Sequence, residues 1–353
     1  MSPGAASGGG PGMTDASSET PAAQSTQPLR GWDGDGSPFH EGEQAAQRRA
    51  GVRDRIEAVG RRVIRGIMPD QHRTFFEQLP FVLVGSVDDA GRPWASILVG
   101  EPGFIRSPDP GALEITASPL AGDPLGRNLR QGVSLALLGI EPTTRRRNRM
   151  NATVAAMGRD GFTLRADQSF GNCPKYIQAR AHRFVRPPNE KADGAEMVRE
   201  GHLLSDRARR LIRQADTFFI ATAAPGANTG DRVRGADVSH RGGSPGFVDV
   251  VERNGATVLR SPDFIGNSHF NTFGNIELDP RAGQLFVDFE TGDLLLLTGE
   301  ARVLWDGPEV DAVAGAERIL EFRVSEGVFL SDALPMRFGE ATPARELSAR
   351  DGS

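Results

Sequence analysis

One cysteine, Cys173, is the whole thiol content of this 353-residue chain. An intrachain disulfide and a cysteine-based zinc site are therefore excluded, and a cytoplasmic location is the expectation. No apolar run approaches the ~18–20 residues of a membrane-spanning helix, so no membrane partner is expected. The N-terminal stretch lacks a continuous apolar core and does not read as a secretory signal. Nor is there a basic excess. Lys and Arg number 41 against 46 Asp and Glu, a net charge of -5 that argues against nucleic acid as a partner. His72, His182, His202 and His269 show no ligand spacing, so no metal site is expected. Tyrosine occurs once, at Tyr176, which makes its position more informative than its type.

What the chain does hold is glycine and proline, 43 and 24 residues, much of it in the N-terminal stretch and in turns. Residues 1–38 read as a disordered tail. The remainder is long enough for two domains with separate cores, and it repeats itself. Residues 94–120 align without a gap to 237–263, an offset of 143. Identical pairs include Ser96/Ser239, Gly100/Gly243, Pro102/Pro245, Phe104/Phe247 and Pro119/Pro262. Further on, an offset of 149 pairs Glu141 with Glu290, Ala152 with Ala301 and Val154 with Val303. A unit this long is a duplicated domain rather than a solenoid repeat. The copies span 39–185 and 205–339, with 186–204 as linker and 340–353 as a loose C-terminal tail.

Apolar spacing predicts one amphipathic helix over 43–66 and a short one over 70–78. Strands follow at 81–87, 94–100, 112–117 and 133–140, then a hairpin over 152–166. The second copy opens with a helix over 205–214, with Ser205 as N-cap. Its strands are 218–224, 246–252, 256–261, 283–289 and 294–305, with Asn254-Gly255 as hairpin turn chemistry. Short strands and tight turns argue for a barrel or sandwich in each copy.

The copies differ at one connection. SPLAGDPLGRNLRQG in the first copy corresponds to SPDFIGNSHFNTFGNIELDPRAG in the second, where the change of offset from 143 to 149 makes the connection six residues longer. The insert carries Asn267, Ser268, His269, Asn271, Thr272 and Asn275, and a helix is expected to start near Asn271. Amides and hydroxyls at a helix N-terminus can cradle a phosphate. They equally suit a polar loop that satisfies its own backbone.

The order of strand GFVDVVE, turn ERNG, strand ATVLRS, polar helix start, Asp279-Pro280 and TGEARVLW resembles the pyridoxamine 5′-phosphate oxidase-like flavoproteins. SHRGGSPGF, FNTFGNIELDP and DQSFGNCPKYIQAR resemble a mostly uncharacterised branch of that family. The resemblance covers about 210–306 well and about 75–158 faintly. It implies a mainly β protein with flanking helices, two tandem FMN-binding split β-barrels forming an intrachain pseudo-dimer. It also implies FMN as cofactor, held at the seam between barrels. Val248 would lie beside the flavin ring, with Ser261, Asn267, Asn271, Thr272 and Asn275 facing the ribityl chain and phosphate. His240 and Arg241 would approach the ring edge as positive groups, and Lys175 joins the candidate cofactor residues.

One departure matters. The family's oxidases carry an Arg-Lys pair in the phosphate helix, where this chain has Asn271 and Thr272. The run Arg145-Arg146-Arg147-Asn148-Arg149 of the first copy, aligned at the second offset with 294–298, is the candidate for the missing charge. A solvated basic turn and an RNA contact are the competing readings of that run.

The function these features imply is an FMN-dependent oxidoreductase acting on an unidentified small molecule. NAD(P)H is the candidate electron donor and a homodimer the candidate assembly. The alternatives are a non-catalytic binder of flavin, deazaflavin or haem, and a cofactor-free interaction module. No residue is assigned as general acid or base.

Overall fold

The computed structural model describes Met1 and residues 30–347; most of the expected N-terminal tail, and 348–353 of the C-terminal one, lie outside the described residues. The chain is mainly β. Helices α1 (Glu41–Arg49), α2 (Arg53–Val63) and α3 (Asp70–Glu77) precede the first sheet. That sheet holds β1 (Phe81–Val87), β2 (Pro93–Val99), β3 (Ile105–Arg106), β4 (Ala112–Ile115), β5 (Ser134–Glu141), β6 (Arg146–Met157) and β7 (Phe162–Gly171), with α4 (Leu125–Asn128) before β5. Strands β8 (His182–Phe184) and β9 (Met197–Glu200) lie in the connection.

The second half begins with α5 (Asp206–Gln214), then β10 (Thr217–Ala223), β11 (Ala236–Gly242), β12 (Asp249–Arg253) and β13 (Ala256–Asp263). It continues with α6 (Asn271–Leu278), β14 (Arg281–Val287), β15 (Leu294–Leu304), α7 (Pro308–Asp311), β16 (Arg318–Leu330) and β17 (Met336–Phe338).

Strand order is β2-β1-β5-β6-β7-β4-β3 in one sheet and β11-β10-β14-β15-β16-β13-β12 in the other. The two halves follow one plan. Pairing also fixes which residues are equivalent. Leu83 pairs with Leu138, which pairs with Arg149; Phe219 pairs with Leu285, which pairs with Leu296. Arg149 therefore corresponds to Leu296, an offset of 147, and the sequence-level offset of 149 is corrected by two residues. A two-residue slip keeps every side chain on its face, so apolar pattern alone could not detect it.

Alternation explains the apolar runs. Val82 and Val84 enter the core of the first half, whereas Phe81 and Leu83 face a second core shared by both halves. Phe218 and Ile220 likewise fill the core of the second half, while Phe219 and Ala221 join the shared one. Strands buried on both faces therefore read as near-continuous apolar runs.

Local chemistry accounts for other boundaries. The helix expected over 43–66 is two helices, because Gly51 takes a left-handed φ of 68° just after α1. Ser205 caps α5 as expected, accepting the N–H of Ala208. Asn254 and Gly255 turn the β12–β13 hairpin at φ 49° and 68°. Both expected tails also reach into structure. Trp32 donates its backbone N–H to Arg61, and Thr342 bridges to Ala179 with Arg145 bonded to its carbonyl.

Candidate functional site

The basic run lies at the start of β6, and strand alternation divides it. Arg146 stacks over Phe75 at 5.0 Å, whereas Arg145 lies in the turn before the strand at φ 60° and bonds the carbonyl of Ile177. Arg147 and Arg149 share the other face and reach the second half. Arg149 Nη1 bonds Asp237 Oδ1 at 2.6 Å and Asn271 Oδ1 at 2.8 Å, and Nη2 bonds Ser239 Oγ at 2.6 Å. Both members of the ion pair are buried, with side chains 5% and 2% exposed. Burial pushes the Arg149 pKa down, and the Asp237 carboxylate offsets part of that.

Arg147 has a different situation. Its Nη1 donates to His240 Nδ1 at 3.4 Å, its Nε is buried without a partner, and it makes no ion pair among the described residues. Burial, then the charge of Arg149, lowers its pKa to about 9, so it is still cationic at neutral pH. Because Arg147 donates to Nδ1, His240 is the neutral tautomer with its proton on Nε2. Burial and the charges of Arg147, Arg241 and Arg180 hold His240 well below the usual histidine range. The expectation of a positive His240 is corrected; the local positive charge comes from arginine.

The second half contributes α6, which begins where expected. Its N-cap, Phe270, and Ser268 before it adopt left-handed φ of 62° and 59°. These are costly conformations for non-glycine residues, and no side chain caps the helix. Helix α1 lies across α6. Glu43 accepts from Asn271 Nδ2, Gln47 Nε2 donates to the His269 carbonyl at 3.0 Å, and His40 Nε2 meets Asn275 Oδ1 at 2.9 Å. Burial raises the Glu43 pKa, opposed by His40 and the donated hydrogen bonds.

Between these elements lies a cavity of about 110 Å³. Arg147, Lys175 and Tyr176 line it from the first half; His240, Arg241, Asp263, Phe264 and Arg318 are among those lining it from the second. Asn271, Thr272 and Phe273, the first turn of α6, border it too. Arg318 is neutralised by Asp263 at 3.0 Å and by Glu317, and Arg241 approaches Asp263 at 3.7 Å. Arg147 and Lys175 have no carboxylate partner among the described residues. The cavity is left with surplus positive charge.

Of the residues singled out from sequence, the fold gathers His240, Arg241, Asn267, Asn271, Thr272 and Lys175 around this cavity. Val248, Ser261 and Asn275 do not line it. Val248 is buried in the core of the second half, and Ser261 is buried opposite Leu320 within the sheet. Asn275 donates to Thr222 Oγ1 at 3.0 Å, just as Asn128 donates to Ser86 Oγ at 3.0 Å in the first half. It anchors a helix to a strand in both copies. Asn271 and Thr272 are engaged by protein: one bridges Arg149 and Glu43, the other donates to Ser239 Oγ at 3.0 Å.

Sequence reading missed β11 and β16, and so the roles of Asp237, Ser239 and Arg318. In β11 the polar positions Asp237, Ser239 and His240 are buried, so an apolar-periodicity signal is missing. In RILEFRVSEGVFL, by contrast, alternation was there to be read.

The related position in the first half is closed. Matching Asn128 to Asn275 places Pro124 and Leu125 where the second half has Asn271 and Thr272. Leu296 stands for Arg149, and Trp94 for Asp237. Asp123 also fills the start of α4, where Oδ1 accepts from Ser96 Oγ at 2.6 Å and from the Leu125 N–H at 2.8 Å. Its Oδ2 is buried without a partner, and burial raises its pKa from 3.8 to about 6.

The folded state thus favours protonated Asp123. Its contribution is fully present below pH 3.8 and is lost as pH rises through about 6. Comparing urea unfolding of wild type and Asp123→Asn, wild type should lose about 3 kcal/mol relative to the variant across that window. Parallel pH profiles would refute a buried, proton-binding Asp123.

No family model matches the chain, and no curated protein matches it. Among solved structures it is similar to HupZ of Group A Streptococcus, at 13% identity and a TM-score of 0.27, over 35% of this chain and 90% of that one. It is also similar to a pyridoxamine 5′-phosphate oxidase so named provisionally from Lactobacillus delbrueckii, at 12% identity and a TM-score of 0.28, over 36% and 93% of the two chains. HutZ, described as the heme storage protein of Vibrio cholerae, is similar at 13% identity and a TM-score of 0.24, over 36% and 95%. Each likeness covers about a third of this chain and superposes weakly.

Proposed function

We propose that this chain holds FMN by its phosphate in the seam cavity and acts as an FMN-dependent oxidoreductase on a small molecule. In this reading the two halves are tandem split β-barrels paired within one chain, as their shared strand order supports. The carrying observation is that Arg147 and Lys175 line the cavity without a carboxylate partner among the described residues. Both side chains are half-buried, and an unneutralised cationic excess in a partly desolvated cavity favours a bound anion. The first turn of α6 borders the same space, and uncapped helix N-termini favour anions.

The donor set fits a phosphate. A cavity of about 110 Å³ falls below the ~300 Å³ typical of a whole ligand site, so it fits that end alone and leaves the remainder outside. Bound there, FMN would supply the hydride and electron transfer that no side chain performs. Arg147, Lys175 and Arg241 hold the anionic end, while neutral His240 braces Arg147. One site per chain follows, because Leu296 and Pro124-Leu125 leave the exchanged position without the side-chain donors of Arg149, Asn271 and Thr272.

Titration followed by flavin fluorescence tests this. Wild type should bind one equivalent of FMN. Arg147→Gln should bind about 10- to 100-fold more weakly, the loss of a charge-assisted hydrogen bond worth roughly 1.5–3 kcal/mol. A protein that ignores FMN, or a variant that binds it as wild type does, overturns the reading. Reduction of the bound flavin by NAD(P)H separates an enzyme from a passive binder.

A further inference from the structure

The cavity has an aromatic wall made by both halves. Tyr176, the only tyrosine in the chain, follows the first sheet, and Phe264 follows β13 of the second. Their ring centroids lie 5.6 Å apart with planes inclined at 36°. Tyr176 holds a left-handed φ of 66°, unusual for a bulky residue, and its hydroxyl donates to the Ile265 carbonyl at 3.1 Å. Gly242 permits this approach, since a Cβ there would collide with the Tyr176 carbonyl. Strained backbone is thus maintained at the cavity edge.

Phe264 and Pro262 also belong to the wall of a second, larger pocket of about 770 Å³. Phe247, Ile319 and Leu347 make that pocket largely apolar, and α7 borders it. The first half has no equivalent, because β6 and β7 are joined by a tight turn closed by Gly158 and Gly161 at 2.8 Å. A small cationic compartment and a roomy apolar one therefore share a wall of one proline and one phenylalanine.

We infer that Tyr176 and Phe264 form a clasp that selects a planar aromatic ring on the ligand, with the anionic end in the small cavity and the ring against Phe264 toward the large pocket. This rests on the cavity being a phosphate site. A stacked ring gains contact and quadrupole attraction that an aliphatic phosphate ester cannot. The clasp is therefore a specificity element separate from the charges. It discriminates by ring, whereas Arg147 discriminates by charge.

Three probes separate the two contributions: inorganic phosphate followed by ³¹P NMR, riboflavin, and FMN, the last two by flavin fluorescence. Phe264→Ala should weaken FMN and riboflavin about tenfold and leave phosphate within about twofold, in keeping with the range for aromatic stacking. Tyr176→Phe should keep the ring preference, and Tyr176→Ala should lose it. Arg147→Gln should give the mirror pattern, weakening phosphate and FMN but not riboflavin. Equal losses for all probes in Phe264→Ala would reduce the clasp to a structural contact and overturn the inference, as would unchanged FMN binding in Phe264→Ala. If wild type fails to bind phosphate while riboflavin binding still depends on Phe264, the cavity reading falls and the two-compartment assignment falls with it. Circular dichroism of each variant confirms that the loss is not unfolding.

Discussion

Arg149→Leu should destabilise the protein by about 3–5 kcal/mol, the cost of stranding one partner of a buried ion pair. Asp237 would keep only hydroxyl neighbours, Ser239 at 3.1 Å and Thr272 at 3.4 Å, in a site where its side chain is 2% exposed. Asn271 would lose its Arg149 donor as well. The molecule itself supplies the comparison, because the exchanged position carries Leu296 and Trp94 packed in the shared core. An apolar solution is therefore compatible with this architecture. Adding Asp237→Leu should recover a good part of the loss, since two apolar groups do not need each other's charge. Urea unfolding of the four proteins of this cycle gives the coupling energy. A near-additive pair would mean that the ion pair is not what closes the seam.

Gly274→Ala should cost about 1–3 kcal/mol through overpacking of α1 on α6. A Cβ at Gly274 would lie 2.5 Å from the Glu43 backbone nitrogen and Cα, which cannot yield as a flexible side chain can. Gly42 packs equally close against the Gly274 carbonyl from the other helix. The sign is the informative part. In an uncovered helix, glycine to alanine stabilises by about 1 kcal/mol through backbone entropy. The equivalent of Gly274 in the first half is Arg127, exposed because no helix covers α4 there. Displacing α1 also moves Glu43 from Asn271, so under the proposed function FMN affinity should fall together with stability. A stabilised Gly274→Ala protein would show that α1 does not hold α6 in solution.

The duplication, the mainly β character and most strand positions were legible because they depend on local pattern. FVLVGSV and LLLLTGEARVL are apolar enough to read as strands whatever surrounds them, and Ser205 or Asn254-Gly255 act within a few residues. The longer connection that leads into α6 was legible as a difference between copies. So was the basic run on β6, whose Arg147 and Arg149 reach the other half.

Tertiary structure decided which of those residues meet, because that depends on register and face rather than residue type. Alternation sends Arg147 and Arg149 across the seam and Arg146 to Phe75. Asn275 looked like a ligand group and is a helix anchor, since only the fold sets it beside Thr222. Asp237 and Ser239 were hidden by polarity that normally marks a turn, and they are buried because Arg149 arrives from 88 and 90 residues away. The sequence by itself determined two related halves, one of them altered. Only the packing of one half on the other determined a cationic cavity, because charges placed far apart in the chain acquire a common environment only when the seam closes.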